Sequence, residues 1–167
     1  MLLDAGDLPL ALHVAALACE LGVPCVLDAD TPAPGIEALL AKASHPVISE
    51  PLARALYGGA EAAVCALASG GAALPVVTRG AAGAVAFVDR APRASAAFAI
   101  EPLDTTGAGD AFHAGIAHGL LCGLAGDELL RTAHAVAACA CLGLGAQAGL
   151  PDRAQLAAFL ARTPRRG

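Results

Sequence analysis

Lysine is nearly absent from this 167-residue chain, which carries Lys42 alone beside nine arginines. Without a lysine-rich stretch there is no patch of the kind that grips nucleic acid or an anionic membrane surface. The net charge of -5 and a pI near 5.4 point the same way, because nucleic-acid binders usually carry a basic stripe. The arginines are scattered apart from Arg162, Arg165 and Arg166, which read as a solvated C-terminal tail. No nucleic-acid partner is expected.

Cysteine motifs are missing as well. The six cysteines, at positions 19, 25, 65, 122, 139 and 141, form no C-x-x-C pair, and no histidine completes a zinc-type spacing. Most lie in apolar, helix-like runs, where cysteine acts as a small hydrophobe. They read as reduced core thiols of a cytoplasmic protein. A long hydrophobic span is also lacking, although 57% of residues are hydrophobic and the mean hydropathy is +0.65. The charge-free stretch 62–78 is interrupted by Ser69-Gly70-Gly71 and Pro75, and the stretch 132–151 by His134, Gln147 and late glycines. Neither supplies an unbroken apolar run of roughly 20 residues. Alanine and glycine inflate the average, so buried helices explain it and no membrane partner is expected. The opening Met1-Leu2-Leu3-Asp4 has no basic residue, so no signal peptide is expected either.

What is present is an alternation of short apolar runs with longer helix-like segments, the pattern of a parallel α/β sheet within one domain. Residues 8–21 read as a helix with Asp7 as N-cap and Gly22 as its stop. Residues 23–27 read as a strand that delivers Asp28 and Asp30 at its C-terminal end. Residues 46–48 and 74–78 are further strands, and 35–43, 51–57, 60–68, 108–122, 127–142 and 153–161 are helices. A hairpin is expected between 84–88 and 96–100. The first helix has almost no strand ahead of it, as if the sheet began in its middle.

The segment Asp104-Thr-Thr-Gly-Ala-Gly-Asp-Ala-Phe112 combines three features that phosphoryl transfer needs. Gly107, Ala108 and Gly109 are small, so their backbone N–H groups can approach phosphate oxygens. They precede an apolar helix whose first amides are unpaired and whose dipole is positive there. Asp110 sets a carboxylate in the same turn, placed to accept the proton of an attacking hydroxyl. A plain turn, in which Asp104 or a threonine only caps the helix, is the other reading of these nine residues. A Walker A loop is excluded because no G-x-x-x-x-G-K-[ST] run exists. A G-x-G-x-x-G fingerprint fails because Phe112 stands where the third glycine would be.

This nonapeptide resembles, without mismatch, the C-terminal signature of the ribokinase/PfkB carbohydrate kinase family. Val76-Val-Thr-Arg-Gly-Ala-Ala-Gly83 is similar to that family's strand and glycine turn beside the ATP phosphates. Gly145-Ala-Gln-Ala-Gly-Leu-Pro151 is similar to its nucleotide-side loop, and Val23-Pro-Cys-Val-Leu-Asp-Ala-Asp30 to its acidic strand near Mg–ATP. The resemblance implies a three-layer α/β/α, ribokinase-like (Rossmann-like) fold with a mostly parallel sheet, and ATP-dependent phosphorylation of a sugar hydroxyl. It implies Asp110 as catalytic base, with the amides of Gly107, Ala108, Gly109 and Asp110 as the anion hole. It places Thr78, Gly80, Gly83 and Gly145 along the nucleotide and His134 near the adenine. Asp104 and Thr106 would be ligands of a monovalent cation such as K⁺, and Asp104 reads equally as a loop cap. Asp28 and Asp30 would hold Mg²⁺ through water.

The family's N-x-x-E motif is altered here: Ser49 stands for the asparagine and Leu52 for the glutamate, a variant similar to the ketohexokinase-like branch. The resemblance covers residues 1–167 as the C-terminal portion of a chain about twice as long. The strands, sugar contacts and β lid of the family's N-terminal half have no counterpart in this sequence. An exposed sheet edge or an unfilled core is therefore expected, with a homodimer or association with the missing half as the implied partnership. A non-catalytic nucleotide-binding module, or an inactive kinase fragment, is the alternative function.

Overall fold

The computed structural model describes residues 1–165, so Arg166 of the expected basic tail lies outside the described residues. Among them are six strands and seven α-helices, arranged in two compact units. One comprises Met1–Arg79 with Ala84–Ala94, the other Gly80–Gly83 with the chain from Ser95 onward.

The first unit alternates strand and helix: β1 (Leu2–Asp4), α1 (Leu8–Glu20), β2 (Val26–Ala29), α2 (Ile36–Leu40) and β3 (His45–Ser49). After these come α3 (Glu50–Tyr57), α4 (Ala60–Ser69), β4 (Val76–Thr78), β5 (Ala84–Val88) and β6 (Ala91–Ser95), whose last residue already belongs to the second unit. The sheet runs β1-β2-β3-β4-β5-β6, with β1 to β4 parallel and β5 antiparallel to β4. Helix boundaries follow local chemistry. Asp7 accepts a bond from the Leu10 amide at 3.1 Å and Ser49 one from Leu52 at 3.3 Å, each offering an oxygen to an otherwise orphaned donor. Gly58 ends α3 at a φ of 83°, a conformation only glycine adopts without strain.

One face of the sheet carries a core in which α1 to α4 cover Leu27, Ile48, Val77 and Val85. Register makes this face continuous, since Ala29 pairs with Ile48, Ile48 with Val77 and Val77 with Val85. Leu27, Ile36, Leu39 and Leu52 are fully buried, and each such side chain contributes about 1.5–3 kcal/mol relative to exposure. At the other extreme, β1 is the edge strand, and Met1 and Leu2 there are 44% and 46% exposed. Leu10, Leu17 and Leu21 add exposed apolar surface along and just beyond α1.

The hairpin departs from the sequence reading. The strand after β5 is 91–95, not 96–100, because Asp89 and Arg90 both take positive φ, 51° and 65°, and close a two-residue turn. Such tight turns match strand twist and return the chain at once. Segment 96–100 instead contributes Phe98, which forms an antiparallel bridge with Arg165.

In the second unit, α5 (Ala108–Leu121), α6 (Gly126–Ala140) and α7 (Arg153–Arg162) surround a small core of Phe98, Ala111, Ala135, Val136 and Leu156. Helices α5 and α6 approach closely because glycines of α5 face α6. A Cβ on Gly115 would lie 2.6 Å from Ala133 Cα, and one on Gly119 would strike Leu129. Phe98 and Phe159 meet edge to face with centroids 5.0 Å apart, a favoured aromatic geometry. Asp152 and Gln155 exchange two bonds of 2.8 Å, a capping box that starts α7. Arg165 is not part of a solvated tail: its guanidinium donates to Ser95 Oγ at 2.8 Å and to the Ala96 carbonyl at 3.0 Å. Among the described residues, no helix is long and apolar enough to cross a membrane.

Candidate active site

The sequence 104–110 becomes a loop that ends abruptly in a helix. Gly107 occupies the N-cap of α5 at a φ of 73°, with no side chain capping the amides that follow. The Ala108 amide turns back to the Thr105 carbonyl at 3.1 Å, and the Ala111 amide starts the helical ladder on the Gly107 carbonyl at 2.9 Å. Between them, the amides of Gly109 and Asp110 have no acceptor among the described residues. Two unpaired donors at the positive end of a helix dipole form an anion site. The two glycines serve different ends. A Cβ at Gly107 would lie 2.6 Å from Ala146 Cβ, so that position is closed by the neighbouring loop. A Cβ at Gly109 would meet nothing within 4 Å, so that position borders open space. Asp110 is exposed in the same first turn.

Asp104 ties this loop to one that lies far away in sequence. Its Oδ1 accepts from the Thr106 amide at 2.9 Å and from Thr106 Oγ1 at 2.8 Å. Its Oδ2 accepts from the Gly145 amide at 2.8 Å, across 41 residues. These bonds from Thr106 and Gly145 hold the carboxyl below the ordinary carboxylate range, so it stays ionised. The Cys141 carbonyl accepts from the amides of Leu103, at 2.8 Å, and Asp104, at 3.3 Å, fastening the same loop to the end of α6. Asp104, Thr106, Gly107, Ala108, Gly109, Asp110 and Gly145 thus come together. Asp104 caps its own loop and not α5, whose N-cap Gly107 has no side-chain partner.

Two histidines lie beneath this turn. His113, one turn after Gly109 on α5 and buried, places Nδ1 2.7 Å from the Gly109 carbonyl. A carbonyl only accepts, so Nδ1 carries the proton. Sequence reasoning passed over His113, although the i, i+4 spacing to Gly109 was there to find. His134, expected near an adenine, is 6% exposed on α6 and stacks edge to face on Phe112 with centroids 5.0 Å apart. Burial, with Arg165 adding to it, lowers its pKa to about 4, so the imidazole is neutral and its buried Nε2 has no partner among the described residues. Its position is that of a packed core histidine.

The remaining predicted residues sit on other segments. Gly80 and Gly83, at φ 55° and 86°, bracket a single 3₁₀ turn closed by the Gly83 amide on the Gly80 carbonyl at 3.0 Å. A Cβ on Gly83 would collide with the Ser95 carbonyl, so only glycine fits there. In the first unit, Thr78 ends β4 with Oγ1 donating to the Ile48 carbonyl at 3.4 Å. Asp28 is half-buried within β2 and Asp30 is exposed just beyond it. Ser49 Oγ donates to the Asp30 carbonyl at 3.0 Å while capping α3, which fastens the ends of β2 and β3. Glu50 pairs at 3.7 Å with Arg54 on the helix surface. Thr78, Asp30 and Ser49 stand at or beyond the C-terminal ends of parallel strands, the usual ligand side of such sheets. Among the described residues, no group of three or more His, Cys, Asp or Glu could hold a metal ion directly.

The α/β fold is ribokinase-like. Residues 2–153 match the pfkB family carbohydrate kinase model, and the chain belongs to that family. It is 41% identical over 63 residues to the ribokinase of Bacillus subtilis strain 168, a stretch covering 38% of this chain and 22% of the relative. Its structure superposes on a putative ribokinase from Agrobacterium tumefaciens with a TM-score of 0.88 and 30% identity, covering 96% of this chain and 55% of the other. A fructokinase double mutant from Vibrio cholerae O395, solved with fructose, ADP and a potassium ion, aligns with a TM-score of 0.73 and 26% identity, over 95% of this chain and 59% of that one. The chain therefore spans a little over half the length of these solved relatives.

Proposed function

We propose that this chain forms the phosphoryl-transfer end of an ATP-dependent kinase acting on a hydroxyl of a sugar or sugar-like substrate. The observation that carries the reading is the first turn of α5, where two unpaired amides and the exposed Asp110 carboxylate share one open surface beside Gly109. A transferring phosphoryl group spreads negative charge over its oxygens, and fixed donors stabilise that charge without reorganising. The amides of Gly107, Gly109 and Asp110 are the proposed donors, with Ala108 shaping the turn through its bond to Thr105. Asp110 accepts the substrate hydroxyl proton as the new O–P bond forms and the bond to the β-phosphate breaks, releasing ADP.

Thr78, Gly80, Gly83 and Gly145 are proposed to line the nucleotide, and Asp28 and Asp30 to hold the hydration shell of Mg²⁺. Asp104 is ionised and already anchored by three donors, and with Thr106 it is the proposed neighbour of a monovalent cation such as K⁺. The potassium ion in the fructokinase relative supports that choice. Oxygen ligands suit a hard cation.

The test is sugar-dependent ADP release by the full chain over a panel of sugars and nucleosides, compared with Asp110→Asn. Turnover should fall at least about 10³-fold while ATP affinity is kept, because the amides remain and a neighbouring negative charge is removed. Turnover unaffected by the substitution would sink the assignment of Asp110. The other reading is a nucleotide-binding module without sugar turnover. ATP binding with no turnover on any panel member would select it.

A further inference from the structure

His113 lies outside the residues assigned above, yet its geometry bears directly on them. The peptide that joins Gly109 to Asp110 carries the Gly109 carbonyl at one end and the unpaired Asp110 amide at the other. His113 Nδ1–H donates to that carbonyl at 2.7 Å, a short bond from a buried ring that is 3% exposed. The ring is fixed in turn by its neighbours, with Phe112 at a centroid distance of 6.4 Å and 83° between planes.

We infer that His113 is a positioning residue for phosphoryl transfer: its Nδ1–H fixes and polarises the Gly109–Asp110 peptide so that the Asp110 amide is a pre-aimed, strengthened donor to the transferring phosphate. The inference rests on the proposed function, because it concerns how that anion site is aimed. Two physical effects act together. A second donor on the carbonyl, beside the helical ladder, stops the first-turn peptide from tilting as helix ends usually do. Electron density drawn toward the carbonyl oxygen also makes the amide hydrogen more positive, the cooperative strengthening seen in hydrogen-bond chains. A preorganised donor acts on the transition-state charge without reorganising when the phosphate arrives.

The experiment compares binding of ATP and of ADP, each with Mg²⁺, to the full chain by isothermal titration calorimetry. The variants are His113→Asn, His113→Gln and His113→Leu. Asparagine places an amide donor where Nδ1 stands, glutamine places one further out, and leucine has none. The expected result is that His113→Leu and His113→Gln lose about tenfold in ATP affinity while ADP affinity holds. His113→Asn should stay within about twofold of the parent for both nucleotides. Unchanged ADP affinity serves as the check on folding, since a packing defect would weaken both ligands alike. Equal loss for ATP and ADP, an ATP preference retained by His113→Leu, or a failure of His113→Asn to restore it would overturn the inference. A parent chain that binds neither ATP nor ADP would overturn the proposed function itself and the inference with it.

Discussion

Replacing Gly109 with alanine separates a phosphate site from a merely structural helix start. The added Cβ meets no protein atom within 4 Å, and Gly109 does not sit at positive φ, so the folded chain has room for it. Alanine is favoured over glycine in a helix by up to about 1 kcal/mol, so stability should hold or rise slightly. The open space that admits the methyl is the space through which an anion would reach the Gly109 and Asp110 amides. Loss of one hydrogen bond to a charged phosphate oxygen costs about 1.5–3 kcal/mol, on the order of 10–100-fold in affinity. Thermal unfolding and ATP titration, run side by side on parent and Gly109→Ala, should show an unchanged or higher Tm and ATP affinity reduced on the order of 10–100-fold. Gly107→Ala cannot make this distinction, because its Cβ would collide with Ala146 at a φ of 73° and disturb fold and site together. An intact Gly109→Ala chain that binds ATP as the parent does would refute the placement of phosphate at this turn.

Two further outcomes concern stability. His134 titrates at about 4 when folded but near 6.5 when unfolded, so between those values the unfolded chain binds more protons. Its contribution is present above pH 6.5 and is lost as the pH falls toward 4, by up to about 3 kcal/mol; chemical denaturation across that range should show His134→Phe flattening the decline. Gly115→Ala should lower stability by about 1–3 kcal/mol in the same assay, since its Cβ would lie 2.6 Å from the Ala133 backbone of α6.

Much of this architecture is legible in the sequence because local rules and tertiary packing agree. Asp7 and Gly22 mark the ends of α1 as capping chemistry requires, and the alternating strands and helices of the first unit follow from periodicity. The hairpin failed where apolar content was taken as the guide: 96–100 is the more hydrophobic run, yet the turn at Asp89-Arg90 puts 91–95 in the sheet. Positive φ at two residues that are not glycine leaves little trace in composition. The nonapeptide 104–112 pointed to the candidate site, but not to how its loop is held. The bond from the Gly145 amide to Asp104 and the enclosure of Gly107 by Ala146 join residues some 40 positions apart, and only the folded chain brings them together. Arg165 was misjudged for the same reason, since its partners Ser95 and Ala96 lie some 70 residues earlier. His134, which the resemblance placed near the adenine, is packed against Phe112, while His113, to which no role was given, holds the Gly109 carbonyl.

The most direct measurement is an amide-resolved NMR titration of the full chain with Mg–ATP. The account predicts that the Gly109 and Asp110 amide signals move furthest, downfield as hydrogen bonds to phosphate form, with Gly107 following and ADP giving smaller shifts. Amide signals from 107–110 that stay in place while ATP binds elsewhere, for example in the cleft of about 510 Å³ between Leu142, Leu150 and α7, would contradict it.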